Sequence, residues 1–204
     1  APPAYPRVPA QATGTPFAFA LRCLIFFVAL ATDSSAQPVG GAFGPNISTW
    51  AYVTTAGGWG ARGDPQLLAS LQTATSGGAR IAGIALGSDA TTWAYWTTTG
   101  GWAARGDPQL LSGLQSATNS GGRIAGIALG YNSTTWAYWT TIGTWSVRSD
   151  PQLVTNLQNS TNGGARIAGI ALGSDLTTWG YWTTTGAWSV RGDPQMVTSL
   201  QNLG

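Results

Sequence analysis

The sequence repeats itself every 43 residues, and this period constrains the fold more than any other feature. Two columns of tryptophan and one of aspartate recur at that spacing: Trp50, Trp93, Trp136 and Trp179; Trp59, Trp102, Trp145 and Trp188; Asp64, Asp107, Asp150 and Asp193. Similar units of this length are typical of propellers and solenoids, in which each unit packs on its neighbours. We therefore predict four units, which are 37–79, 80–122, 123–165 and 166–204.

The second unit shows the pattern expected within each repeat. Residues 81–86 form a continuous apolar run, which predicts a buried strand. The side chains of residues 92–97 alternate between two faces, and residues 102–105 follow a glycine pair, so we predict two further strands. Asp107 is a favoured N-cap and Pro108 a favoured first helical residue, so a helix is predicted to begin there. The sequence therefore predicts β-β-β-α units in a β-dominated fold.

This layout, repeated four times with an aromatic second strand and a Pro-led helix, resembles the hemopexin-type repeat. The resemblance covers 37–204 and implies a four-bladed β-propeller in which a short helix closes each blade. The residues alone leave an alternative, an open β-β-β-α solenoid whose units stack end to end.

Residues 1–36 differ in composition from the repeats. Arg22 precedes an apolar run over 23–31, and the small residues Ser34-Ser35-Ala36 follow it. These features predict a secretory signal that is cleaved after Ala36. The run is too short to span a bilayer comfortably, so we expect a secreted protein with no membrane association after cleavage.

The ionisable residues exclude the usual catalytic constellations. The sequence has no His, Lys or Glu, and its single cysteine, Cys23, precedes the repeats. Acid-base chemistry would depend on Asp alone, and Asp107 is already explained as a helix cap. We therefore predict no enzymatic activity, no cofactor and no metal site. A net charge of +2 from nine Arg and seven Asp does not predict nucleic-acid binding.

The tryptophan columns are the main indication of a ligand. Large aromatic faces beside Thr, Asp and Arg suit sugar rings, so we expect extracellular carbohydrate or glycoprotein as the ligand class. The candidate ligand-binding residues are Trp59, Trp102, Trp145 and Trp188, and the column Trp96, Trp139 and Trp182. The alternative is that tryptophan fills the space between units.

Sequence motifs also predict glycosylation. Asn46, Asn132 and Asn159 begin Asn-x-Ser/Thr sequons, which we expect on surface turns. Trp93, Trp136 and Trp179 begin W-x-x-W patterns, which predict mannosylation of tryptophan. These motifs also fit a second hypothesis, a structural subunit that polymerises into an extracellular glycoprotein fibre.

Overall fold

The computed structural model describes residues 37–201, which form four units of three strands and one helix. Unit 1 contains β1 Pro38–Phe43, β2 Trp50–Thr54, β3 Trp59–Arg62 and α1 Pro65–Ser76. Unit 2 contains β4 Ile81–Leu86, β5 Trp93–Thr97, β6 Trp102–Arg105 and α2 Pro108–Asn119. Unit 3 contains β7 Ile124–Leu129, β8 Trp136–Thr140, β9 Trp145–Arg148 and α3 Pro151–Asn162. Unit 4 contains β10 Ile167–Leu172, β11 Trp179–Thr183, β12 Trp188–Arg191 and α4 Pro194–Gln201.

The predicted β-β-β-α order is confirmed in every unit, and the strands of unit 2 differ from the prediction by one residue at the start of β5. Each unit forms its own antiparallel sheet, in which the second strand pairs with both the first and the third. The secretory signal predicted over 1–36 lies outside the described residues.

Each helix begins at the aspartate that the sequence marks. In unit 2, Asp107 Oδ1 accepts hydrogen bonds from the backbone N–H groups of Gln109 at 2.7 Å and Leu110 at 3.3 Å. The helix ends because Gly121 adopts a φ of 85°, a left-handed conformation that glycine adopts without strain. The capping role predicted for the aspartate column is therefore confirmed.

The turn between the first two strands is held by an Asp or Asn side chain. Asp89 Oδ1 accepts hydrogen bonds from the backbone N–H groups of Thr91 and Thr92, and its Oδ2 accepts one from the Thr92 hydroxyl at 2.7 Å. Asn132 occupies the same position in unit 3 and accepts from the backbone and hydroxyl of Thr134. These hydrogen bonds form an Asx turn between the first and second strands.

The units pack through opposite faces of their sheets. We call the face with the Trp-x-Tyr pair (Trp93 and Tyr95 in unit 2) the front face, and the opposite face (Ala94 and Trp96) the back face. The back face of each unit packs against the front face of the next unit, and leucines from the intervening helix fill the space between them. We call this arrangement a junction, and the described units form three of them.

Leu110 and Leu114 are the buried centre of the junction between units 2 and 3. Both leucines are fully buried, and they contact a cluster that includes Ala94 from the back face and Tyr138 from the next front face. Side chains from two units thus share one core, so a single unit cannot bury its own apolar surface.

The first strands of all four units border one central cavity. Its volume is about 810 Å³, and its lining includes Gly41 from β1, Ile84 from β4, Ile127 from β7 and Ile170 from β10. Among the described strands, none pairs with a strand of another unit. The array therefore curves around its inner strands, and contacts made by side chains, rather than strand pairing, connect the sheets.

Candidate functional site: two open junction faces

Every internal junction has the same ion pair. Arg105 Nη1 at the end of β6 donates to Asp64 Oδ2 of the preceding unit at 3.0 Å, and to Gln66 Oε1 at 2.9 Å. The equivalent pairs are Arg148 with Asp107 at 2.8 Å and Arg191 with Asp150 at 2.7 Å. The capping aspartate therefore has two roles, since Oδ1 caps the helix while Oδ2 binds the next unit.

A tyrosine hydroxyl reaches the preceding helix in each junction. Tyr138 donates to the backbone carbonyl of Gly113 at 3.0 Å. Tyr95 bonds to the Ser70 hydroxyl at 2.9 Å, and Tyr181 bonds to the Ser160 hydroxyl at 2.9 Å. Burial raises the pKa of Tyr138, although a hydrogen bond with the Ser146 side chain opposes this effect. The front face thus presents a fixed polar group to its neighbour.

The front face of unit 1 is open to solvent. Tyr52 is 42% exposed, whereas Tyr95, at the same position of unit 2, is 6% exposed. The Trp50 and Tyr52 rings still stack as in the other units, with centroids 5.9 Å apart and planes at 12°. This face therefore has the geometry of a junction face but no partner unit among the described residues.

The back face of unit 4 is open in the same way. Trp182 is 47% exposed, whereas Trp139 at the same position of unit 3 is 8% exposed. Trp188, which pairs with Trp182 across β11 and β12, is 43% exposed. Asp193 caps α4 and is exposed, although the three earlier capping aspartates are buried. The array thus leaves exposed the two faces that would complement each other in a further junction.

The polar groups of a junction are present at both open faces. Arg62 ends β3 at the position of Arg105, and Asp193 and Gln195 lie at the positions of Asp64 and Gln66. Within 37–201, neither Arg62 nor Asp193 forms an ion pair. Sequence reasoning treated the aspartates only as caps and missed this pairing. The periodic recurrence of Arg beside Asp was the signal that could have indicated it.

The tryptophan columns lie in three different environments. Trp93, Trp136 and Trp179 are buried on front faces inside the junctions, so the indoles predicted to be mannosylated are enclosed by the neighbouring unit. The column of Trp96, Trp139 and Trp182 lies over glycines of the first strand, where a Cβ on Gly83, Gly126 or Gly169 would overlap the indole ring.

The third column lies on back faces against the helix. Trp102 Nε1 donates to the Thr118 hydroxyl at 3.4 Å, and Trp145 Nε1 donates to the Thr161 hydroxyl at 3.3 Å. Trp59, Trp102 and Trp145 are partly buried in the junction clusters. Of the candidate ligand-binding tryptophans, Trp182 and Trp188 are the ones with large exposed area, and they lie together on the open face of unit 4.

The sequons do not share one structural setting. Asn46 and Asn132 lie in the turns after β1 and β7, as predicted, and each side-chain oxygen accepts hydrogen bonds from the following Ser and Thr residues. Asn159 lies within α3 rather than on a turn, so that part of the prediction was wrong. The helix continues past the sequon because the glycines that end it begin at Gly163.

Two turn aspartates have lowered pKa values. Burial acts to raise the pKa of Asp89, but hydrogen bonds from Thr92 and Thr91 outweigh it and lower the pKa below its ordinary value. Asp175 in unit 4 shows the same balance with Thr178 and Thr177. Both carboxylates are therefore held in their charged, hydrogen-bonded form.

No cluster of three or more metal-ligating side chains occurs in 37–201. Across the same residues, the helices are too short and too polar to cross a membrane. No protein-family model matches the chain, and no curated protein matches it. Function is therefore inferred from the two open faces themselves.

Proposed function

We propose that the protein is a non-enzymatic extracellular structural subunit that assembles end to end. The observation that supports this proposal is the exposure of two complementary junction faces, the front face of unit 1 and the back face of unit 4. A protein surface that leaves large aromatic side chains exposed together is typical of an interaction site. The extracellular location rests on the signal predicted over 1–36.

The polar groups at the two faces favour a partner with this same sequence. In a further junction, Arg62 of one copy would meet Asp193 and Gln195 of another, as Arg105 meets Asp64 and Gln66. Tyr52 would reach α4 near Ser199, the position that Gly113 occupies in α2. Head-to-tail contacts of this kind between copies form open filaments or larger closed rings.

The exposed ends favour an open solenoid over a four-bladed ring within one chain. A closed ring would bury Tyr52 against Trp182 and Trp188, and all three side chains are more than two-fifths exposed. Among residues 37–201, three equivalent junctions leave these two faces unjoined. We place a fourth junction of the same geometry between two copies.

Sedimentation velocity of the full chain across a concentration series tests this proposal, with negative-stain microscopy of the largest species. We expect the sedimentation coefficient to rise with concentration without added carbohydrate. Arg62→Ala removes a junction group at an open face, so it should weaken association. Arg105→Ala is the matched control, because it removes the same side chain from an internal junction and should leave association intact.

A monomer at every concentration would refute end-to-end assembly. Association that responds equally to Arg62→Ala and Arg105→Ala would also refute it, because of these two arginines only Arg62 lies at an open face. Isolated four-unit rings in the microscope would favour the propeller that the hemopexin-type resemblance implies.

A second candidate function, binding of extracellular carbohydrate or glycoprotein, is favoured by the adjacent exposed indoles of Trp182 and Trp188. Aromatic faces of this size suit the apolar faces of sugar rings. A glycan array probed with the Arg62→Ala variant tests it, since weaker assembly leaves this face free. We expect binding to be lost in Trp188→Ala and retained in Trp102→Ala, whose indole is partly buried in an internal junction.

A further inference from the structure

The first-strand isoleucine is a constant part of the three internal junctions. Ile84, Ile127 and Ile170 are all buried on front faces beside the Trp-x-Tyr pair. Each of them contacts the cluster that contains the leucines of the preceding helix. This side chain therefore fills the space between a front face and the back face packed on it.

Unit 1 lacks that side chain. Gly41 occupies the position of Ile84, pairs with Tyr52 across β1 and β2, and lines the central cavity. Pro38 likewise replaces the buried isoleucine that opens the other first strands, such as Ile81. The front face of unit 1 therefore presents less apolar volume than any internal front face.

The polar part of the same face is complete. Arg62 and Tyr52 are both present, and the open back face of unit 4 retains Asp193 and Gln195 as their counterparts. Polar complementarity determines the choice and orientation of a partner more than its affinity, while apolar burial mainly determines affinity. The open faces thus have the polar groups that give an internal junction its specificity, but they have fewer apolar side chains to bury.

We infer that the contact between copies is a weakened form of the internal junction, and that Gly41 is the residue that weakens it. This inference rests on the end-to-end assembly proposed above. The partner is the back face of unit 4 of a second copy. We therefore expect association between copies to be reversible, whereas the three internal junctions stay formed as long as the chain is folded.

Gly41 can be replaced without disturbing unit 1. A Cβ at this position would lie 3.5 Å from the Ala51 carbonyl oxygen, which is an ordinary van der Waals contact. Its φ lies outside the left-handed region, so a side chain brings no backbone strain there. Gly41→Ile therefore restores the internal junction residue with little cost to the free chain.

The test compares the self-association constants of wild type, Gly41→Ala and Gly41→Ile by sedimentation velocity. Filling the gap with a buried isoleucine should tighten association roughly 10- to 100-fold, and alanine should give a smaller gain. Ala125→Ile is the matched control, because it adds the same side chain at an exposed inner-strand position of unit 3. Thermal melting checks that each variant folds. If Gly41→Ile does not fold, the self-association constant of Gly41→Ala tests the inference instead.

The outcomes separate this inference from the function on which it rests. If wild type assembles through Arg62 and Gly41→Ile does not tighten the assembly, the inference is wrong and the function stands. Equal tightening by Ala125→Ile overturns the inference as well, because it indicates general adhesion. If Gly41→Ile is monomeric and its Trp182 becomes buried, the inference is wrong, because the front face of unit 1 has then packed on the back face of unit 4 in the same chain. If wild type stays monomeric and Gly41→Ile associates through Arg62, the weakened junction is supported and assembly of the native protein is not.

Discussion

The internal junctions and the two open faces are built from the same sequence columns, yet their side chains have different environments. Tyr138 is buried and donates to Gly113, whereas Tyr52 is exposed. Asp107 is buried and paired with Arg148, whereas Asp193 is exposed. The same residue type therefore stabilises the fold at one position and is open to a partner at another. The neighbouring unit determines which of the two occurs.

The largest expected difference concerns the helix leucine. Leu110→Ala empties a fully buried site shared by two units, so it should lower the free energy of unfolding by about 2–5 kcal/mol. Met196→Ala changes the equivalent residue of unit 4, which is only partly buried, and should cost about 1 kcal/mol or less. Urea denaturation of both variants measures the contrast, and equal losses would mean that the back face of unit 4 is covered.

The next difference concerns the glycines beneath the second tryptophan column. Gly126→Ala places a Cβ against the Trp139 ring, and the resulting strain should cost about 1–3 kcal/mol. Gly40→Ala meets only the Val53 side chain at 3.4 Å and should cost about 0.5 kcal/mol or less. Thermal melting of both variants measures the difference between the back face of unit 3, which contains Trp139, and the back face of unit 1, which contains Val53. A large loss in Gly40→Ala would contradict the assigned packing.

The tyrosine hydroxyls should give a smaller contrast. Tyr138→Phe leaves the Gly113 carbonyl without this donor, so it should lower the free energy of unfolding by about 0.5–1.5 kcal/mol. Tyr52→Phe should leave the stability of the monomer unchanged, because this ring lies on the open front face. Chemical denaturation at a concentration where the chain is monomeric makes the comparison. A stability loss in Tyr52→Phe would indicate a bond within the chain.

The smallest expected effect is the response of the turns to acid. The pKa values of Asp89 and Asp175 are lowered on folding, so these carboxylates stabilise the fold above their unfolded pKa of about 3.9. That stabilisation is lost as the pH falls through the lowered folded values. Asp89→Asn and Asp175→Asn should each reduce the drop in melting temperature between about pH 6 and about pH 3. Equal effects would show that the turn of unit 4 is as well bonded as that of unit 2.

The sequence predicted the elements of each unit because their signals are local. The Asp107-Pro108 pair predicts the helix start through bonds that span three residues, and 81–86 predicts a strand by composition alone. The recurrence of Arg beside Asp in every unit indicates ion pairing, but it does not show that Arg105 binds Asp64 of the preceding unit, because that choice depends on which faces meet. The sequence also could not distinguish Trp139 from Trp182, since the same residue is buried or exposed according to whether a described unit packs on its face.

The most direct test of complementary ends is an exchange of charge between the two open faces. Arg62→Asp and Asp193→Arg each place like charges at the contact between copies, so each variant alone should sediment as a monomer. In an equimolar mixture, the two variants can alternate along the assembly. At one contact, the new aspartate at position 62 of the first variant faces the new arginine at position 193 of the second. At the next contact, Arg62 of the second variant faces Asp193 of the first, so opposite charges meet at both. We expect the mixture to assemble, although Asp193→Arg also removes the cap of α4. A mixture that stays monomeric, while wild type assembles at the same concentration, would contradict this expectation.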